Sequence, residues 1–285
     1  CSFFSFFWFS AASKTSVFSL AGTLSKRDAR DLRPLSEEKL PSEISPVVSA
    51  LNDLFHRVEE ARERERNFAI FAAHELKTPL AGLKTQAQIA EGAKDDAMRL
   101  NAVRQIASGV DRTSRLVNQL LDLAALETGD EMEPPSPEPA CQLLVSISTD
   151  MRMLAAHRGV KIELPGNLPL VTMQYPHLFT LAMRNLIENA VNHSPQGGSV
   201  RCSLEKADDQ VIFTVEDDGP GIPPEDMAYV TERFYRGANR SENGSGLGLA
   251  IVKMAATRMG GEVQLHNRSE GGLRALLIIP AQAAT

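Results

Sequence analysis

Twelve residues, Gly129-Asp130-Glu131-Met132-Glu133-Pro134-Pro135-Ser136-Pro137-Glu138-Pro139-Ala140, set four prolines and four acids together near the middle of a 285-residue chain. Neither a helix nor a central strand can run through them, because each proline fixes its own φ and removes a backbone donor. We read 129–140 as a linker. Before it, apolar residues recur at helical spacing; after it, short alternating runs interleave with helical ones. The pattern predicts an all-α part followed by an α/β part.

In the first part Val47, Leu51, Leu54, Val58, Ala61, Phe68 and Ala72 follow the spacing of a heptad, broken only at Glu65. Arg57, Glu59, Glu60, Arg62, Glu63, Arg64 and Arg66 supply solvated flanks of mixed sign. After a turn at 92–96 a second seam runs through Val103, Ile106, Val110, Thr113, Val117, Leu120 and Ala124. Two long helices with a short loop make an antiparallel hairpin, yet one partner helix scarcely covers either apolar stripe. Pairing two hairpins into a four-helix bundle covers both, so the pattern predicts a homodimer. In the second part we expect helices at 141–157, 175–192 and 246–258, and strands at 160–164, 170–173, 200–204, 211–217, 262–266 and 274–279.

Composition excludes several classes. Cys1, Cys141 and Cys202 lie too far apart in sequence for a zinc-binding pair and do not form an even disulfide set. A net charge of -6 without a basic block argues against nucleic acid as a partner. Two residue types are unevenly spread: seven of 16 aromatics fall in the first 18 positions, and twelve of 19 glycines between Gly197 and Gly272. The aromatic run at 1–9 is shorter than the roughly 20 residues of a membrane helix. Lys14, Lys26, Arg27, Arg30 and Arg33 follow it as a cytoplasmic flank would. We read 1–15 as the end of a membrane helix, with a cut signal sequence or an artificial extension as alternatives.

His74-Glu75-Leu76-Lys77-Thr78-Pro79-Leu80 sits inside the first long helix, and extending the seam places His74 beside it, at the bundle surface. An imidazole can attack through one ring nitrogen while Glu75 holds the other and accepts a proton. Pro79 lacks an N–H, so the Glu75 carbonyl loses its helical partner and the helix can bend there. The zinc-protease motif is excluded, because its second histidine would have to stand at Thr78.

A second group of residues points to a nucleotide. Asn185 and Asn189 are four residues apart on one helix face, and their oxygens suit Mg²⁺ that also holds phosphates. His193, one turn on, either approaches a phosphate or faces solvent. Asp217-Asp218-Gly219-Pro220-Gly221-Ile222 ends an alternating strand; an aspartate there can accept from an adenine amino group while Gly219 and Gly221 let backbone come close. Gly244-Ser245-Gly246-Leu247-Gly248-Leu249 opens a helix, where N–H groups favour phosphate. The dinucleotide fingerprint fails at Leu249 and Ile251, and the Walker pattern fails for want of Gly-Lys. The polar stretch 237–245 reads as a lid over nucleotide.

These motifs, with Glu232-Arg233-Phe234-Tyr235-Arg236 between them, stand in the order and spacing of a sensor histidine kinase of two-component signalling, which the chain resembles over about 60–280. Residues 16–65 are similar to a HAMP relay module, although the proline expected near its start is replaced by Val17 or Phe18. The resemblance implies a dimerisation and phosphotransfer hairpin at 66–128. It also implies an ATP-binding α/β sandwich of the histidine kinase/Hsp90-like type at 141–285. His74 would take the γ-phosphoryl of ATP, Glu75 would act as base, and Thr78 would position water when the same site dephosphorylates its partner. Asn189, assisted by Asn185, would hold Mg²⁺, and Asp217 would read adenine. Gly219, Gly221 and His193 would line the nucleotide, Gly244, Gly246 and Gly248 would bind the triphosphate, and Phe234 and Arg236 belong to the lid segment. The resemblance further implies transfer to an aspartate on a response regulator receiver domain, and a place at the bacterial inner membrane with this portion facing the cytoplasm. An ATPase lacking a histidine acceptor, or a scaffold with a decayed kinase, are the rival readings.

Overall fold

The computed structural model describes residues 22, 25, 27, 28, 31–36, 44–128, 136–207, 209–237 and 245–281. The membrane remnant proposed at 1–15 and the linker positions 129–135 lie outside the described residues. Two compact units divide the chain, Cys1–Lys77 and Thr78–Thr285.

Helix α1 (Ser45–Gly92) runs for 48 residues with Pro79 inside it. In the first unit its opening turns join a small core of Leu35, Ile44 and Val48, with Leu51 and Phe55 packed against it. The Asn52 carboxamide accepts from the Leu35 N–H at 2.7 Å and donates to the Leu35 carbonyl at 3.1 Å. One helical side chain thus pins an extended stretch by both of its backbone groups. The Arg27 guanidinium lies 5.8 Å from the Phe55 ring centroid, a cation–π contact over the same core.

In the second unit α1 is followed by α2 (Asp96–Thr128) after a turn at 93–95. Asp95 caps α2 by accepting from the Met98 N–H at 2.7 Å. Gly109 lets the helices close, since a Cβ there would stand 2.7 Å from Leu83 Cδ2. Leu116, Leu120, Leu123 and Leu126 are buried, whereas Val103, Val110 and Val117, one heptad column, are 50%, 47% and 38% exposed. No helix among the described residues is long and apolar enough to cross a membrane.

A short strand β1 (Glu138–Pro139) precedes α3 (Ala140–Arg158) and β2 (Lys161–Glu163), and pairs antiparallel with β3 (Thr172–Met173). The proline-rich segment was expected to carry neither a helix nor a central strand, and the pair it forms is consistent with that. It forms a two-residue edge pair, where the missing proline donor costs nothing. Ser136 and Ala140 carry the pairing on either side with N–H bonds to Gln174 and Val171. Helix α3 stops at Gly159, whose φ of 66° returns its N–H to the carbonyls of Ala155 and Ala156.

Helix α4 (Pro176–His193), strands β4 (Ser199–Ala207) and β5 (Gln210–Asp217), helix α5 (Gly248–Arg258), and strands β6 (Glu262–Asn267) and β7 (Leu273–Pro280) complete the fold. The main sheet has the order β2-β4-β5-β7-β6. Among the described residues of that sheet only the β2–β4 pair is parallel. Period-two alternation buries one face: Val200, Cys202 and Leu204; Val211, Phe213 and Val215; Ala275, Leu277 and Ile279. Phe179, Met183, Ile187 and Val191 of α4 and Ile251 and Ala255 of α5 are buried too, and the Phe179 and Phe213 ring centroids stand 4.5 Å apart. Burial pushes the Cys202 thiol up to about 12, so it serves as core rather than as a reactive group.

Candidate functional site

The same alternation that buries Val211, Phe213 and Val215 carries Asp217, the last residue of β5, into the interior, where it is 5% exposed. Its Oδ1 accepts from the Gly219 N–H at 2.8 Å and the Leu273 N–H at 3.1 Å. Neither bond uses Oδ2, which can accept from a bound base. Burial pushes the Asp217 carboxyl above the usual carboxylate range, opposed by those two amide bonds and by the charges of His193 and Arg268. Its neighbour Asp218 behaves oppositely. Bonds from the Ser199 N–H and hydroxyl, and then from Arg201 and Arg268, hold it well below that range.

Glycines shape both ends of the site. A Cβ at Gly219 would stand 2.8 Å from the His193 carbonyl oxygen and 2.9 Å from Asp217 Oδ1, so a side chain there would break the turn that orients Asp217. Gly246 has a φ of +69° and lies against Phe234 and Tyr235, with a bond from the Phe234 N–H to its carbonyl at 2.9 Å. Phe234 is the one non-glycine residue with positive φ among the described residues, at 64°.

Gly248 opens α5 against both carboxamides of α4. A Cβ at that position would lie 3.1 Å from Asn189 Nδ2 and 3.3 Å from Asn185 Oδ1 and from Asn189 Oδ1. Asn185 donates its Nδ2 to the Leu181 carbonyl at 2.9 Å, which turns its oxygen away from its own helix. Helix α4 therefore carries Asn185 and Asn189 against the helix-opening glycine and ends with the His193 carbonyl against Gly219. One rigid element joins the two glycine loops.

Of the site residues expected from the sequence, Asn185, Asn189, His193, Asp217, Gly219 and Gly248 thus gather around α4. The His193 and Arg236 side chains are exposed, Phe234 is half-buried, and Gly244, with the lid positions 238–244, lies outside the described residues. His74 and Thr78 are exposed on α1 and Glu75 is half-buried. The sequence reading missed Asn267, Arg268 and Asp218. Asn267 accepts from the Ile222 N–H at 2.8 Å and donates to the Ile222 carbonyl at 2.7 Å. Its sole signal in the sequence is a polar pair ahead of Gly271-Gly272. Side chains of α2 reach residues beside Gly246 and Asn189: Ser245 donates to Gln119 Oε1 at 2.7 Å, Arg115 pairs with Glu188 at 3.3 Å, and Arg233 pairs with Glu127.

Comparison with known proteins gives three family matches. They are a sensor protein PhoQ-like HAMP domain over 17–60, a His Kinase A (phospho-acceptor) domain over 64–129, and a histidine kinase-, DNA gyrase B- and HSP90-like ATPase over 175–283. The sensor protein QseC of Salmonella typhi is 39% identical over 260 residues, which cover 90% of this chain and 57% of that protein. The sensor protein BasS of Escherichia coli (strain K12) is 33% identical over 258 residues, covering 88% of this chain and 68% of BasS. Among solved structures, full-length ShkA in complex with AMPPNP superposes with a TM-score of 0.54 at 29% identity, over 77% of this chain and 47% of that one. The chain thus spans a little over half the length of QseC.

Proposed function

This chain belongs to the sensor histidine kinases of bacterial two-component signalling, and from that membership we propose that it phosphorylates itself on His74 from ATP. The observation that supports the reading best is the convergence on α4, with Asn185 and Asn189 against Gly248 at one end and the His193 carbonyl against the Asp217 turn at the other. A base reader and a phosphate loop on one helix suit a nucleotide laid along it, and ShkA was solved with a nucleotide analogue.

In this reading Asp217 Oδ2 accepts from the adenine amino group, while Gly219 and Gly221 admit the base. Gly244, Gly246 and Gly248 offer backbone N–H groups to the phosphates. The carboxamide oxygens of Asn189 and Asn185 are neutral hard donors meeting beside the helix-opening glycine, so the donor set fits Mg²⁺. When bound, that ion neutralises charge on the phosphate oxygens. A His74 ring nitrogen forms the new N–P bond as the bond to the ADP oxygen breaks, and Glu75 accepts the proton from the other nitrogen. The phosphoryl group then passes to an aspartate of a response regulator receiver domain, and Thr78 positions the water that hydrolyses that aspartyl phosphate to inorganic phosphate when the same site acts as a phosphatase.

The open column Val103, Val110 and Val117 supports a homodimer in which two hairpins form a four-helix bundle. Membership further supports a place at the bacterial inner membrane, with this portion in the cytoplasm. Incubation with Mg²⁺ and γ-labelled ATP should put acid-labile, base-stable label on the chain, and His74→Gln should remove it. Label surviving in that variant overturns the assignment.

A further inference from the structure

The turn joining β6 to β7 holds the Asp217 loop at three places. At one end the Asn267 carboxamide clasps both backbone groups of Ile222, and Asn267 Oδ1 fills the space beside Gly221, 2.6 Å from where a Cβ would stand. At the other end the Leu273 N–H occupies Asp217 Oδ1, and a Cβ on Gly272 would collide with the Asp217 carbonyl oxygen. Between them Arg268, only 13% exposed, donates from Nη1 to the Asp217 carbonyl at 2.7 Å and to Asp218 Oδ1 at 3.1 Å.

We propose that Arg268 is a positioning residue for nucleotide specificity, fixing the Asp217 peptide so that Oδ2 meets the base as a rigid acceptor. The proposal rests on the reading of Asp217 as the adenine reader. Adenine presents a donor at its exocyclic nitrogen, whereas guanine presents a carbonyl oxygen at the corresponding position. A fixed acceptor therefore attracts the first and repels the second. A loosened aspartate can turn away from guanine, and discrimination falls.

Arg268 suits this task because a single guanidinium nitrogen holds both the carbonyl of Asp217 and the side chain of the next residue. Asp218 is anchored in turn by the Ser199 N–H at 2.9 Å, the Ser199 hydroxyl at 2.8 Å and Arg201 at 2.9 Å. The peptide between the two aspartates is thereby tied to β4 on one side and to the β6–β7 turn on the other. Arg268 touches none of the reacting atoms in this arrangement, so its effect should appear in binding and base choice rather than in turnover.

The test compares ATP and GTP as competitors for a fluorescent ATP analogue on the full 285-residue chain, together with kcat and KM for self-phosphorylation. For Arg268→Ala we expect ATP affinity to fall about tenfold and GTP affinity to stay within about twofold, with kcat at saturating ATP reduced no more than about threefold. Arg268→Lys should restore most of the ATP preference. Asn267→Ser, acting on the far end of the turn, should lower the same ratio and serves where Arg268→Ala does not fold. An ATP-to-GTP ratio equal to that of the parent in every folded variant overturns the proposal. Asp217→Asn separates the two levels. If it weakens ATP while the turn variants do not, the adenine reader stands and the role of Arg268 falls; if it leaves ATP unchanged, both fall.

Discussion

Asp217 and Asp218 are neighbours on the chain with opposite electrostatic environments. Burial raises the first, so its ionisation costs stability as pH climbs from the ordinary value of 3.8 through the higher folded value, and that cost persists at neutral pH. On the reading proposed above, the fold carries that cost to hold a carboxylate acceptor in a dry site. Ser199, Arg201 and Arg268 lower the second, so its contribution is complete above 3.8 and is lost on acidification below it. Asp218→Asn should therefore flatten the acid limb of a plot of Tm against pH below about pH 4. An acid limb as steep as that of the parent removes Asp218 from the network. The sequence revealed Asp217 because it ends an alternating strand before two glycines. It revealed nothing of Asp218, whose partners stand 17, 19 and 50 positions away.

Among the elements, periodicity is a local signal and was legible in the longer ones. The helix expected at 175–192 is Pro176–His193, and the strand expected at 211–217 is Gln210–Asp217. The β1–β3 pair and the clamp of the β6–β7 turn were not legible, because their bonds join residues distant in sequence; Leu273 reaches back 56 positions and Asn267 reaches 45. No local pattern encodes such a bond. The contact of α4 with α5 was legible only as two separate motifs, an asparagine pair and a glycine run, and folding makes them one surface. Gly248→Ala tests that surface. Its methyl group would stand at 3.1–3.3 Å from both carboxamides, tight enough to displace them. We expect a fold melting within about 3 °C of the parent and labelling from ATP reduced about tenfold or more. Full labelling would detach the carboxamides from phosphate handling.

For the whole molecule, the hairpin of a single chain leaves the column Val103, Val110 and Val117 in water, although it repeats every seven residues. Val110 is its middle member, 47% exposed. Glu at this position would bury a charge in a paired bundle and harm a lone hairpin little, so Val110→Glu should weaken self-association by roughly a hundredfold or more. Sedimentation of the variant as a dimer at the parent's concentration would refute the four-helix arrangement. Helix α4 has a further consequence for the ligand. Asn185 and His193 are eight residues apart on it, which is about 12 Å along a stiff rod. On the reading proposed above, that rod is a calliper closed on the nucleotide, one jaw at the base and one at the phosphates. A molecule with the right base but a longer or shorter bridge to its phosphates would engage one jaw and miss the other, so the site would gauge length as well as letter.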